Sequence, residues 1–345
     1  LPSIGTRTDI PFVGRATQRE LLSSVMSMVA NGRSAVVAVT GEAGAGKTRL
    51  VNEMLQRFPS SSALVFAGAC APYGEDNVWA PIASALFRRM GVDPSAPPSV
   101  VRDVSRRKGI EYYRFDADDP VLDLFVEAVL HLLGHKSTLD TMNPARAREA
   151  LFSVVVEGLR RRSQHGPIIL WLDDLQWADR LVIDLLGRIT RSLVDRAVLV
   201  VTAQRDDVEI DWPPAADHPI TVRMPLDPLS REEARELVEA TLGEVGRVGL
   251  ADRLYERSGG NPLFLTELAA MTRSQPDSSA LPGSLRALIA ATLDRLAVGP
   301  RSILENASVL GSTGTVKALV LLASEMDQVF EEADFDVLVD EGLLE

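Results

Sequence analysis

With 345 residues, 46% of them apolar and 24% charged, the chain has material for two or three packed cores and the charge content of an ordinary soluble protein. A formal charge of −12, from 36 basic against 48 acidic side chains, argues against a surface that wraps nucleic acid, which needs a concentrated basic face. The single cysteine, Cys70, excludes an internal disulfide, and no apolar run reaches the roughly 18 residues of a membrane span. His131, His135, His165 and His218 are scattered and form no metal-ligand spacing. The opening LPSIGTRTDIPF lacks the charged-then-apolar order of a secretory signal, so a reduced, cytoplasmic setting is the expectation. A start without methionine and a finish at VLVDEGLLE, with no polar tail, lead us to expect a piece of a larger protein.

In chain order, the first predicted strand is SAVVAVT (Ser34 to Thr40), a β-branched apolar run that ends at a glycine, as a buried parallel strand does. TRLVNEMLQRF then sets Leu50, Val51, Met54, Leu55 and Phe58 at helical spacing. ALVFAGACA (Ala63 to Ala71) predicts a second strand. The region from about Trp79 to His165 reads mostly helical, broken at DPSAPPS and at the polar RRKGIEYYRFDADD. PIILWLDD (Pro167 to Asp174) predicts a third strand, DRLVIDLLGRIT a helix, and AVLVVTAQR (Ala197 to Arg205) a fourth strand. This alternation predicts an α/β fold with a doubly wound, mainly parallel sheet and a ligand at the carboxyl ends of its strands.

The texture changes at DWPPAADHP, which reads as loop, and helices dominate after MPLDPLS. SREEARELVEATL opens with Ser230 and Glu233 spaced as a capping box. The expected division is an α/β domain over 1–225 with a helical insertion near 92–140, a small helical domain over 226–272, and a third, helical segment over 273–345.

Between the first strand and its helix lies GEAGAGKT, Gly41 to Thr48, which fits the phosphate-loop pattern in the required context. Gly41, Gly44 and Gly46 let the amides of Glu42, Ala43, Ala45 and their neighbours turn inward around phosphate oxygens, aided by the dipole of the helix that follows. Lys47 is positioned to reach the β- and γ-phosphates of ATP, Thr48 to offer its hydroxyl to Mg2+, and Arg49 to flank them. The third strand delivers Asp173 and Asp174 beside that loop, the first suited to the Mg2+ shell and the second to orienting or deprotonating an attacking water. Asp179 reads as a helix cap. Arg205, in TAQRDD, either emerges near the γ-phosphate or pairs at the surface with Asp206 or Asp207.

These motifs resemble the STAND branch of the AAA+ ATPases, and more narrowly the ATPase modules of large LuxR-type regulators and of cyclase- or kinase-linked proteins. PFVGR (Pro11 to Arg15) is similar to that family's opening motif, so the resemblance implies that Val13, Gly14 and Arg15 line an adenine site. LWLDDLQWAD is similar to its acidic strand and TAQRDD to its sensor arginine. SGGNPLFLTEL (Ser258 to Leu268) is similar to its Gly-x-Pro motif, which implies that Pro262 stacks near the adenine; read alone, Gly-Gly-Asn-Pro is an ordinary turn that starts a helix. The final segment resembles the family's winged-helix domain, truncated before its wing, with Leu285, Leu288, Ile289 and Leu293 on one helix and Ile303, Leu304, Ala307 and Leu310 on a second.

About 125 positions separate Lys47 from Asp173, room for an insertion whose Arg102, Arg106, Arg107, Lys108 and Arg114 meet a partner or a phosphate, or else form a solvated mixed-charge face. Arg146 and Arg148 are placed either to reach a neighbouring subunit or to face solvent. The resemblance implies an ATP/ADP switch with slow hydrolysis, self-association or contacts with other domains of its parent, and no direct nucleic-acid or membrane binding by this segment. A DNA-acting motor or loader and a P-loop kinase are the alternatives; the acidic balance weighs against the first, and the closing helical domain against the second.

Overall fold

A computed structural model of the chain describes residues 10–57, 63–71, 77–91, 93, 96–213, 220–242, 249–274, 296–310, 315–325, 332–340 and 344. The chain divides into two compact units, Leu1–Pro228 and Leu229–Glu345.

The first unit is built on five parallel strands, β1 (Ala35–Thr40), β2 (Leu64–Ala69), β3 (Ile168–Asp173), β4 (Val198–Gln204) and β5 (Thr221–Pro225), in the order β2-β3-β4-β1-β5. The central runs AVVAVT, IILWLD and VLVVTAQ are buried along nearly their whole length because both sheet faces are covered. Successive residues of each strand therefore enter different cores. Val37, Val39, Ile169, Trp171, Leu199 and Val201 pack against α1 (Ala16–Ala30) and α2 (Lys47–Arg57). Val36, Ala38, Ile168, Leu170, Leu172 and Val200 pack in a second core with α3 (Ala80–Met90), α4 (Pro98–Tyr113), α5 (Pro120–Leu132), α6 (Pro144–Ser163) and α7 (Arg180–Ser192). This is the doubly wound α/β arrangement that the sequence predicts.

Two elements carry weaker sequence signals. The sequence pattern assigns no element to TVRMP, yet it forms β5 at the sheet's edge, where only Met224 is buried and Arg223 lies in mid-strand. The ATQRELLSSVMSMVA segment forms α1, whose Leu22, Val25, Met26 and Val29 are buried.

The insertion folds as α4 and α5 around Tyr113, Phe115 and Phe125, with ring centroids 4.9 Å apart for the tilted pair Tyr113 and Phe125 and 5.4 Å for the tilted pair Phe115 and Phe125. Its surface charges are mixed: Arg102 pairs with Glu127, Arg106 with Asp123, and Lys108 with Glu111 at 3.4 Å. Arg114 caps the end of α4 in a left-handed conformation (φ 59°). Arg146 and Arg148, at the start of α6, are exposed.

In the second unit, α8 (Arg231–Leu242), α9 (Leu250–Ser258) and α10 (Pro262–Ser274) bury Leu237, Val238, Leu254, Leu265 and Leu268. The capping box forms as expected, with Ser230 N–H donating to Glu233 (2.8 Å) and Glu233 N–H to the Ser230 hydroxyl (3.2 Å). Further along, α11 (Val298–Leu310) packs on α12 (Val316–Glu325) and α13 (Glu332–Asp340), with Ile303 and Leu338 buried. Phe58, Leu285, Leu288, Ile289 and Leu293 lie outside the described residues.

Candidate functional site

The candidate site gathers at the carboxyl ends of β1, β3 and β4. β1 ends at Thr40, and the chain turns through Gly41 to Gly46 before α2 begins at Lys47. Gly41 (φ 152°) admits no other residue: a Cβ there would stand 2.9 Å from the Leu226 carbonyl oxygen, which follows directly on β5. Gly44 (φ 79°) and Gly46 (φ 89°) also hold positive φ, so the loop closes tightly enough to present its amides at the start of α2.

Lys47 is buried at 7% exposure, and its ammonium donates to the carbonyls of Gly41 and Glu42, both at 2.8 Å. Burial pulls its pKa down, while the charges of Asp174 and Asp173 pull it back up. The cation therefore sits inside the loop's own curve, facing the carboxylates across it.

Asp173 ends β3 and is 2% exposed. The Thr48 hydroxyl donates to its Oδ2 at 2.6 Å, and the Asp174 N–H donates to its Oδ1 at 2.9 Å. Burial pushes its pKa up to about 6, with the Asp174 charge adding to the rise; the two hydrogen bonds and Lys47 oppose it. A hydroxyl oxygen and a costly buried carboxylate in contact are a hard-oxygen donor set of the kind Mg2+ takes, so the residues fit that ion.

Asp174 adopts a left-handed conformation (φ 52°), and its Oδ1 accepts from the Gln176 side-chain amide at 2.9 Å. Gln176 in turn accepts the Arg205 N–H on its Oε1 at 3.1 Å. The Arg205 guanidinium pairs with Asp207 at 3.0 Å, the second of the two arrangements its sequence context allows. Asp179 caps α7 by accepting from the Leu181 N–H at 2.7 Å.

The opening segment lies against the loop. Gly14 (φ 72°) and Arg15 (φ 59°) both hold positive φ beside Val13, and Arg15 is buried. Its Nη2 donates to the Ala45 carbonyl (3.3 Å) and to the Asp227 carbonyl (2.6 Å). Arg49 donates to the Ile10 carbonyl and stands 6.0 Å from the Phe12 ring. In this way Ile10, Phe12 and Arg15 tie the opening segment to Ala45 and Arg49.

Pro262 belongs to the second unit. There Gly259 (φ 60°) and Gly260 (φ 79°) make the turn, Asn261 Oδ1 accepts from the Phe264 N–H at 3.2 Å, and Pro262 opens α10.

Sequence reasoning missed Gln176. Its signal was an amide two places after the acidic pair, able to donate to a carboxylate and accept from a backbone at once. Among the described residues, no group of three or more histidine, cysteine or acidic side chains could hold a metal ion by itself, and no helix is long and apolar enough to cross a membrane.

Residues 11–201, more than half of the chain, match the family described as the AAA ATPase domain. The chain is 26% identical over 355 residues to an uncharacterized protein of Rhizobium meliloti (strain 1021), an alignment covering 97% of this chain and 33% of that protein. Among solved structures it is similar to a signal transduction ATPase with numerous domains (STAND) carrying a tetratricopeptide repeat sensor, from Pyrococcus horikoshii. That likeness is 18% identical, covers 98% of this chain and 40% of the other, and has a TM-score of 0.54, which establishes a shared fold. Drosophila ORC bound to DNA matches at 14% identity and a TM-score of 0.42, over 99% of this chain and 88% of the other. The chain thus spans about a third of its curated relative.

Proposed function

The chain belongs to the AAA ATPase domain family, and from that premise we propose that it binds ATP with Mg2+ and works as a nucleotide-dependent switch with slow hydrolysis inside a larger signalling or transcription-regulating protein. The observation that carries this reading is the meeting of Lys47, Thr48, Asp173 and Asp174 at the carboxyl ends of parallel strands. On binding, the phosphates replace the Gly41 and Glu42 carbonyls as partners of Lys47. Thr48 and Asp173 hold the Mg2+, which when bound offsets charge on the phosphate oxygens. Asp174 orients the attacking water and accepts its proton, and ADP and phosphate leave.

A division of labour along the chain supports a switch. The adenine end is assigned to Val13, Gly14, Arg15 and Pro262, and ATP and ADP favour different arrangements of the chain because they differ in their contacts at the γ-phosphate. We read 226–272 as a small closing domain and 273–345 as a winged-helix element that regulates the core. Arg205 senses the γ-phosphate by exchanging Asp207 for it.

Chromatography of nucleotide released from the freshly purified, denatured chain tests the reading. Retained ADP or ATP near one per chain supports it; an empty site with fast turnover stimulated by DNA contradicts it and favours a motor.

A further inference from the structure

Strand β3 leaves the sheet asymmetrically. Its last residue still follows β2, with Ala69 opposite Asp173 and the Cys70 N–H donating to the Asp173 carbonyl at 3.0 Å. Its pairing with β4 ends one residue sooner, at Leu172 opposite Thr202, while β4 runs on beside β1 to Gln204. A gap therefore opens between the ends of two neighbouring strands, beside Asp174 and Arg205.

Gln176 spans that gap. It sits in the short 3-10 turn Leu175–Trp177, donating Nε2 to Asp174 Oδ1 (2.9 Å) and accepting the Arg205 N–H on Oε1 (3.1 Å). Both ends of one amide are used, so its orientation is fixed: flipped, it would set oxygen against carboxylate and NH2 against N–H. The carboxylate it holds belongs to a residue at φ 52°, in the left-handed region that aspartate enters more readily than most side chains.

We propose that Gln176 is a positioning residue for hydrolysis, holding the Asp174 carboxylate in one orientation and tying it to the backbone at Arg205. The proposal rests on the ATPase reading above and adds a route between two of its parts. A displacement of the segment after β4 draws on Gln176 and turns the Asp174 carboxylate, so the sensor segment and the hydrolytic group change together. Asparagine is one methylene too short for both bonds. Glutamate keeps the acceptor for Arg205 but sets an anion against Asp174.

The test compares the wild-type chain with Gln176→Ala, Gln176→Glu and Asp174→Asn, measuring single-turnover ATP hydrolysis, ATP affinity and amide hydrogen exchange at Arg205. Gln176→Ala should slow hydrolysis roughly ten- to a hundredfold with ATP affinity held within about threefold, the pattern of lost orientation. Gln176→Glu should hydrolyse more slowly still, and the Arg205 amide should exchange faster in Gln176→Ala alone of the two. A wild type that hydrolyses ATP, an inactive Asp174→Asn and an unchanged Gln176→Ala would overturn the bridge alone. So would a rate loss matched by an equal loss of affinity. A wild type that binds ATP but hydrolyses none, like Asp174→Asn, would overturn the hydrolytic reading and this proposal with it.

Discussion

Thr48 and Asp173 stand 125 positions apart in the chain and meet at 2.6 Å, the hydroxyl donating to the carboxylate. The contact joins the first turn of α2 to the last residue of β3, so the glycine loop and the acidic strand form one site. The Asp173 carboxylate is 2% exposed, and that burial raises its pKa from 3.8 to about 6 against the pull of the Thr48 hydrogen bond.

That shift has a consequence for stability. The folded-state value exceeds the unfolded one, so Asp173 favours folding most when protonated. The contribution is full below about pH 4 and is lost as pH rises through 6. At pH 8 the ionised group costs about 3 kcal/mol, from roughly two pKa units at 1.36 kcal/mol each. In magnesium-free buffer Asp173→Asn should therefore be the more stable protein at pH 8 by denaturant titration. Its advantage should shrink by about 1 kcal/mol at pH 5.5.

Asp174→Asn keeps the side-chain volume and removes the group assigned to the attacking water. We expect ATP to stay bound and hydrolysis to fall by roughly a hundredfold or more. Chromatography of the nucleotide after incubation with ATP should find ATP where the wild type holds ADP.

Arg15→Ala removes a buried guanidinium that donates to both Ala45 and Asp227. Leaving those carbonyls without it should cost about 2–3 kcal/mol, because bonds to charged donors are the strong ones. Arg15→Lys should recover only part of this, since the lysine side chain is shorter and its ammonium stops short of the place where Nη2 meets both carbonyls. Urea unfolding of the three proteins gives the comparison.

Pro262 starts α10, where its fixed φ suits the first helical position. Pro262→Ala should keep the far-ultraviolet circular dichroism spectrum and weaken ATP and ADP binding by a similar factor, because the lost contact is assigned to the base. Unchanged affinity for both would confine Pro262 to the turn that Gly259 and Gly260 make.

What the sequence made legible follows from burial. SAVVAVT, PIILWLDD and AVLVVTAQR read as strands because the sheet is covered on both faces and polar residues are kept out of them. TVRMP escaped because an edge strand needs only half of that apolar content, and Arg223 interrupts it. The phosphate loop was legible because its backbone demands glycine, as Gly41 beside Leu226 illustrates. Gln176 and the reach of Arg15 to Asp227 were not, because such bonds depend on where distant backbone comes to rest. The insertion's charges were visible, but their partners, Glu127 for Arg102 and Asp123 for Arg106, come from a second helix.

The central claim is that the loop from Gly41 to Thr48 grips a nucleotide's phosphates through Lys47. Equilibrium binding of ATP to the wild-type chain and to Lys47→Ala, with folding of both checked by circular dichroism, tests it most directly. We predict saturable binding near one ATP per chain for the wild type and none for Lys47→Ala at roughly a hundredfold higher concentration, a difference of about 2.7 kcal/mol or more. A folded Lys47→Ala that binds ATP with the wild-type affinity would contradict the account.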